Sequence, residues 1–277
     1  MVAERAILIL LLLLLPVRAM AEGSCGTCHS PHYTAFGNCT SCHRGDPRTD
    51  RTDLAHATLI RARYAYFALP DSLVTQYGKQ LIDQAGCRRC HQSGGKGNGL
   101  ASNLDQLQPD VRPEDLMRAI RQPGLFMPDF FFAEAAAVSL VNALLSHAAK
   151  AERQVSENPL LVYFEGVKRD ENPFDEHCGG CHRLLTKHWG GLGRGAIGPN
   201  LSGLFSEFYP SRFGINERWS RRNLEKWLKN PREIRKMARM VPQRLLPDKL
   251  SKVFVFFEID QPHGVQDKPG SDPERVP

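Results

Sequence analysis

The chain has 277 residues, with 36 Lys or Arg against 30 Asp or Glu and a formal net charge of +6. This length is too great for one small core and predicts two or three domains. After the first 21 residues, no apolar segment approaches the roughly 20 residues that a helical membrane span requires. The composition therefore excludes a membrane protein with several spans.

The N-terminus has the pattern of a secretory signal. Arg5 stands in a short charged start, and an apolar run covers residues 6–16. Residues 19–21 (Ala-Met-Ala) then supply small residues at the positions that a signal peptidase reads. We expect residues 1–21 to be a removable signal peptide and the mature chain to be exported to the periplasm or beyond. The alternative is a retained anchor, but the apolar run is short for a full span.

Eight cysteines in an exported chain would ordinarily predict four disulfides. Here all eight fall into Cys-x-x-Cys pairs, and each pair is followed at once by a histidine. The four motifs are Cys25-Gly-Thr-Cys28-His29, Cys39-Thr-Ser-Cys42-His43, Cys87-Arg-Arg-Cys90-His91 and Cys178-Gly-Gly-Cys181-His182. A zinc ribbon would explain the pairs but not the histidines. A thioredoxin-like protein needs one pair in a βαβ setting, which the sequence does not contain.

This spacing is the one that covalent haem attachment requires. Two thiols separated by two residues can add to the two vinyl groups on one edge of a porphyrin, and the next residue then lies under the ring. The imidazole of that residue can bind the iron as the proximal ligand. The sequence therefore predicts four covalently bound haems c, with four proximal ligands: His29, His43, His91 and His182.

The haems change the charge of the mature protein. Removing the signal peptide takes away Glu4, Arg5 and Arg18, which together carry +1, and leaves +5 of the original +6. Each ferric haem adds one positive charge and two propionates, so four haems contribute about −4. The holoprotein would be nearly neutral, and we expect no nucleic-acid partner.

Residues 22–69 form the first predicted segment. It carries two haem motifs within a short stretch and has little aliphatic material before Leu54. Such a piece cannot build a core of its own, so its haems must supply the apolar interior. We expect a small, loop-rich dihaem segment.

Residues 70–150 form the second predicted segment, with a helix, a haem motif, a loop and two further helices. Helical spacing covers residues 77–85, 113–120 and 133–149. The four glycines of residues 93–99 indicate the loop.

The third segment, residues 159–260, repeats this plan after a polar linker. Its predicted elements are a helix at 160–167, a glycine-rich loop at 190–198, a helix at 222–229 that ends at Asn230-Pro231, and a closing helix at 250–259. The last stretch is rich in β-branched and aromatic residues and could be a strand, but the repeat argues for a helix. Residues 261–277 have four prolines and few apolar residues, and we expect a disordered tail.

The second and third segments resemble class I cytochrome c domains. The resemblance rests on a helix before the motif, the turn at residues 198–201 (Gly-Pro-Asn-Leu), a helix ending in Asn-Pro, a methionine near a proline, and a closing helix. It implies a mainly α fold with distal methionines at Met127, in Leu-Phe-Met-Pro, and at Met240, which a valine separates from its proline.

The first segment is similar to small multihaem cytochromes, because a histidine follows the first haem motif at His32 and a second motif comes soon after. The complete order is a close dihaem unit followed by two monohaem class I domains. With the stretch Cys-His-Arg-Gly-Asp-Pro-Arg-Thr at residues 42–49, it resembles the tetrahaem cytochromes of selenite and tellurite reduction operons in metal-reducing bacteria.

The first segment has two predicted irons and two spare histidines, His32 and His56, with no methionine. Bis-histidine ligation uses all of them. His32 is so close to His29 that we expect it to reach the neighbouring haem, which leaves His56 for the first. The alternative makes His56 a surface residue and leaves one iron open and reactive.

The second segment offers Met117, Met127 and His147 as distal ligands. Met117 lies among apolar helical residues and is favoured as core packing. His147 ends an alanine-rich helix, where the helix dipole alone favours a histidine. Met127 is the predicted ligand.

The third segment offers Met237 and Met240, of which Met240 is favoured. On one helical turn the two would lie on a similar face. His177 directly precedes a motif cysteine and cannot reach the opposite face of that haem. His188 is close to the proximal ligand and is interpreted as a surface or propionate contact.

The predicted function is electron transfer between redox protein partners. Met/His ligation generally gives a higher potential than His/His ligation, so electrons would enter at the first segment and leave through the later ones. The ten Arg or Lys residues of 212–239 form either a docking surface for an acidic partner or a solvated face. The alternatives are a peroxidase or oxyanion reductase with an open iron, and a bound subunit of an outer-membrane electron conduit.

Overall fold

The computed structural model describes residues 23–124, 126–153, 172–215 and 217–259. The described part is mainly helical, as predicted, and the chain divides into two compact units, Met1–Leu69 and Pro70–Pro277. The predicted signal peptide, the helix at 160–167 and the tail at 261–277 lie outside the described residues.

The described residues contain ten α-helices and one small sheet. The helices are α1 (Cys25–Cys28), α2 (Cys39–His43), α3 (Thr52–Ala55), α4 (Leu73–Gln84), α5 (Pro113–Arg121), α6 (Glu134–Lys150), α7 (Pro173–His177), α8 (Arg221–Lys229), α9 (Pro231–Ile234) and α10 (Pro247–Val255). Short 3₁₀ helices lie at Thr34–Phe36, Ala62–Ala68, Cys87–Arg89 and Leu104–Gln106. The strands are β1 (Leu184–Leu185) and β2 (Gly191–Leu192).

The first unit has almost no apolar interior. From residue 23 to residue 59 none of its residues is buried, and its core begins only at Ile60, which is fully buried. Backbone bonds hold the loops instead. The Asp46 N–H donates to the Ala55 carbonyl at 3.0 Å, and the Asn38 side chain caps α2 by accepting from the Ser41 N–H at 3.0 Å. The loops of this segment are therefore held by backbone and capping hydrogen bonds rather than by apolar packing.

In the second unit, α4 packs closely against α6. Ser72 caps α4 by accepting from the Thr75 N–H at 3.3 Å. A methyl group on Gly78 of α4 would overlap the Ser139 carbonyl oxygen of α6 and lie 2.9 Å from the Cβ of Ala143. The absence of a side chain at Gly78 therefore sets how closely the two helices approach.

Replacing Gly78 with alanine is expected to lower the free energy of unfolding by about 1–3 kcal/mol, because the methyl group has no space between the helices. Helix propensity alone predicts the opposite, a gain of about 1 kcal/mol. Thermal unfolding of the Gly78→Ala variant measures the sign. Gln80→Ala on the exposed face of α4 is the matched control, and it should stay within about 0.5 kcal/mol of the unsubstituted protein.

The last part of the chain builds a core of its own. Its fully or largely buried side chains come from α7, the sheet, α8, α10 and the loops between them: Phe174, Leu184, Leu192, Leu204, Leu224, Leu228, Val253 and Phe257. Helix α10 confirms the helical interpretation of the closing stretch over the strand. The predicted loop at 190–198 was wrong in part, because β2 lies within it and pairs antiparallel with β1. The helices predicted at 77–85, 113–120, 133–149 and 222–229 are present as α4, α5, α6 and α8.

Candidate functional site

Each Cys-x-x-Cys-His stretch folds into a tight turn. The N–H groups of His29, His91 and His182 donate to the carbonyl of the first cysteine of their own motif at 3.0, 3.0 and 2.9 Å. The remaining motif forms helix α2. Side chains three residues apart on such a turn share a face, so each motif presents both thiols to the same side.

Three of the motif histidines are oriented by a backbone carbonyl. The Nδ1–carbonyl pairs, each at 2.8 Å, are His43 with Ile60, His91 with Ser102, and His182 with Pro199. A carbonyl oxygen only accepts, so Nδ1 carries a hydrogen, and in the neutral imidazole the lone pair is then on Nε2. Metal-binding histidines commonly donate their other ring nitrogen to a carbonyl in this way.

The four histidines of the first unit form two pairs. The ring centroids of His29 and His56 are 6.0 Å apart, and those of His32 and His43 are 5.7 Å apart. A metal–nitrogen bond of about 2 Å places a ring centre about 3 Å from the metal, so imidazoles on opposite faces of one iron have centres about 6 Å apart. The separations fit that arrangement, with His32 beside the second motif and His56 beside the first.

Met127 lies with the third motif at one pocket of the second unit. The lining of this pocket includes Cys87, Cys90, His91, Phe126 and Met127. The motif and the predicted distal methionine are therefore brought together at a largely apolar cavity. Such a cavity suits a flat hydrophobic cofactor with one polar edge.

The other two candidates of this segment have different surroundings. His147 sits near the end of α6, where its Nδ1 lies 2.8 Å from the Ser93 Oγ. Met117 is a partly buried residue of α5. A side-chain hydrogen bond with Ser93 therefore accounts for the position of His147.

His182 of the fourth motif is buried, with 8% of its surface exposed. Gly198 lies against its ring, because a Cβ at this position would be 2.6 Å from Nδ1 and would overlap the imidazole. Pro199 then supplies the carbonyl for that nitrogen. The Gly-Pro dipeptide thus has a local role, to hold the imidazole flat against the backbone.

The two methionines near the end of the chain differ sharply. Met237 is 90% exposed, whereas Met240 packs partly buried against the same core as Cys178. The Met240 Sδ accepts a hydrogen bond from the indole Nε1–H of Trp227 at 3.1 Å. The structure therefore separates the two methionines, and only Met240 faces the interior that the fourth motif shares.

The two methionines do not lie on one helical turn, so the shared face that such a turn would give them is absent. Helix α9 ends at Ile234, and residues 237–240 are a turn followed by irregular backbone. Trp227 was not among the residues that the sequence singled out. Its position three residues after Leu224, on the face of α8 that carries Leu224 and Leu228, was the available signal.

Two further described histidines, His177 and His188, lie in the last segment, the first partly buried and the second exposed. His177 ends α7, and its Nε2 lies 3.4 Å from Glu176. His188 is exposed, with its ring centroid 5.7 Å from that of Trp189. Neither contact involves a motif cysteine.

The same Asn-Leu turn follows the motifs of His91 and His182, and only the second of the two was identified from the sequence. In both halves of the second unit, the residue before an Asn-Leu dipeptide supplies the carbonyl that holds the motif histidine. The side chains of Asn103 and Asn200 then accept from the N–H two residues later, each at 2.9 Å. The leucines Leu104 and Leu201 donate to the residue directly after the histidine at 2.9 and 2.8 Å. The signal was the repeated Asn-Leu after each motif.

All eight cysteines are free thiols in this structure. Burial raises the pKa of Cys87 and of Cys178 to about 11, and it also raises the pKa of Cys42 and Cys90. A redox-active Cys-x-x-Cys pair of the thioredoxin kind depends on a thiol whose pKa is lowered. The pKa of each of these four thiols is raised instead, which argues against a thioredoxin-like reactive pair in their motifs.

The basic stretch at 212–239 is mostly exposed and partly neutralised. Lys229 pairs with Glu225 at 2.9 Å, Arg221 pairs with Glu258, and Arg235 lies over the ring of Trp227 at 5.5 Å. These contacts account for some of the charges through local pairing. A positively charged surface would raise the encounter rate with an acidic protein.

Within the described residues, no helix is both long and apolar enough to cross a membrane. The same residues hold no group of three or more His, Cys, Asp or Glu side chains arranged around a metal ion. Comparison with protein-family models, with curated proteins and with solved structures finds no match.

The donor set fits haem c. Each motif supplies two thiols on one side of a turn and a neighbouring imidazole. Three of these imidazoles use Nδ1 for a backbone carbonyl, which leaves Nε2 as the nitrogen that could bind a metal. A second potential ligand lies beside the motifs of His29, His43 and His91. This combination matches the iron and the two vinyl groups of one porphyrin.

Proposed function

We propose that this protein is an exported, tetrahaem c-type cytochrome that carries electrons between redox protein partners. The observation that carries the proposal is the pairing of imidazoles in the first unit. The ring centroids of His29 and His43 lie 6.0 and 5.7 Å from those of His56 and His32, which is the spacing of two imidazoles on opposite faces of one iron. Between residues 23 and 59 no side chain is buried, and two haems between these histidine pairs would supply the missing apolar interior.

The residues that would hold the four haems follow from the geometry and the sequence together. Covalent attachment would use Cys25, Cys28, Cys39, Cys42, Cys87, Cys90, Cys178 and Cys181. The proposed distal ligands are His56, His32, Met127 and Met240, in the order of the motifs. When bound, haem supplies one-electron chemistry at its iron. The protein's own part is to orient the imidazoles, exclude water and set the potential.

The proposed architecture is a dihaem segment at 22–69 followed by class I cytochrome c-like segments at 70–150 and 159–260, in the order that resembles tetrahaem cytochromes of selenite and tellurite reduction operons. Histidine pairs favour lower potentials than Met/His pairs. Electrons would therefore enter at the first unit and pass to the second, in the periplasm, with metalloid oxyanion reduction as the pathway served.

The proposal is tested by counting haems. Protein produced with an export signal and the haem-attachment machinery should carry four haems per chain by mass and by pyridine haemochrome absorbance. Replacing Cys87 and Cys90 together with serine should reduce the number to three, because the two thioether bonds of one site are lost. Thr40→Ala, between the cysteines of the second motif, should keep four. A protein that is exported without any added mass would refute the proposed function.

A further inference from the structure

Arg89 is a buried cation inside the third motif. It lies between Cys87 and Cys90, and only 7% of its surface is exposed. Its Nη1 donates to the carbonyl oxygen of Asn200 at 3.2 Å, and its guanidinium carbon lies 5.6 Å from the centre of the Tyr209 ring. A guanidinium is always charged, so this position holds a fixed positive charge.

The partner of Arg89 belongs to the fourth site. Asn200 directly follows Pro199, whose carbonyl orients the imidazole of His182. The Asn200 side-chain amide also donates to the Phe126 carbonyl at 2.8 Å, and Phe126 precedes the predicted ligand Met127. The guanidinium of Arg89 therefore reaches from one candidate haem site to the backbone of the other.

The charge of Arg89 is not neutralised by an ion pair with any residue that the structure describes. Its neighbour Arg88 differs in this respect, because Arg88 pairs with Asp83. The partners of Arg89 are a carbonyl oxygen and an aromatic face, which orient the charge without cancelling it. In a buried site the field of such a charge extends further than it would in water.

We infer that Arg89 is a tuning residue that raises the reduction potentials of both haem sites in the second unit. The inference rests on the proposed function, since it concerns the potentials of the bound haems. An oxidised iron carries one more positive charge than a reduced iron, so a fixed cation nearby disfavours oxidation. One side chain then shifts two sites in the same direction, and it keeps both above the bis-histidine sites of the first unit.

The test is potentiometric titration of the full-length holoprotein with Arg89→Gln. Glutamine keeps a hydrogen-bond donor for Asn200 but removes the charge. We expect two of the four potentials to fall, each by about a tenfold change in the electron equilibrium, which is about 59 mV for one electron. Arg89→Lys keeps the charge without the guanidinium fork, and its potentials should remain near those of the unsubstituted protein.

Arg121→Gln is the matched control, because Arg121 is an exposed arginine of the same unit and its charge is screened by water. In this variant the electron-transfer equilibrium constant of each haem should change by less than about twofold.

Equal shifts in Arg89→Gln and Arg89→Lys would overturn the inference in favour of a structural role. Four unchanged potentials in Arg89→Gln would overturn it as well. If the unsubstituted protein binds no haem at Cys87 and Cys178, it is the proposed function that fails, and the haem count reports this separately.

Discussion

Replacing His56 with alanine is expected to open one axial position at the haem that we propose for Cys25 and Cys28. The ring of His56 stands 6.0 Å from that of His29, and the other histidine pair would remain intact. Electron paramagnetic resonance of the oxidised protein should therefore show about one haem in four converted from low-spin to high-spin. His188→Ala, an exposed histidine of the second unit, should leave the spectrum unchanged.

Repeating the histidine substitutions in a variant that lacks the first haem identifies which haem responds. When Cys25 and Cys28 are both serine, the first haem is absent, and His56→Ala should then have no effect on the spin state. In that same background His32→Ala should still produce one high-spin haem, because its ring lies 5.7 Å from that of His43. The reverse pattern would show that the two histidines are exchanged between the irons. A high-spin signal in the unsubstituted protein would instead favour the alternative of an enzyme with an open iron.

Replacing Met240 with alanine is expected to lower the potential of the haem at Cys178 and Cys181 by at least about tenfold in electron equilibrium, which is about 59 mV. The thioether is the ligand that raises the potential above that of a histidine pair. Met237→Ala is the control within the same segment. Its side chain is 90% exposed, and its removal should leave the potentials as they are.

Met240→His separates ligation from packing. An imidazole at this position can restore a low-spin iron but lacks the sulfur that favours the reduced state. We expect a low-spin spectrum with a lowered potential, measured by potentiometry together with paramagnetic resonance. If Met237→Ala lowers the potential and Met240→Ala does not, the assignment of the distal ligand in this segment is reversed.

The sequence was most informative where the chemistry is local. A Cys-x-x-Cys-His motif spans five residues, so its spacing alone fixes which thiols and which imidazole lie together. The helices α4, α5, α6 and α8 also follow from local periodicity and from end signals such as Asn230-Pro231. These features depend on residues that are close in the chain.

The features that the sequence did not predict are contacts between different segments, which no single motif or helical period encodes. Each strand of the sheet is only two residues long, too short for an alternating pattern to reveal it, and the pairing of Leu184 with Leu192 defines it. The hydrogen bond from Trp227 to Met240 depends on an irregular segment after α9, for which the sequence predicted no element. Nothing in the sequence separates Arg89 from Arg88, and the two differ only through their folded surroundings, where Arg89 donates to Asn200 and Arg88 pairs with Asp83.

His29 and His32 belong to different imidazole pairs, although two residues alone separate them in the chain. Three residue steps cover at most about 11 Å even when fully extended. In the proposed cytochrome this short tether would hold the two irons of the first unit at a high effective concentration of each other. Exchange between them would then be a first-order event that dilution does not slow, whereas delivery to a partner would scale with how much partner is present.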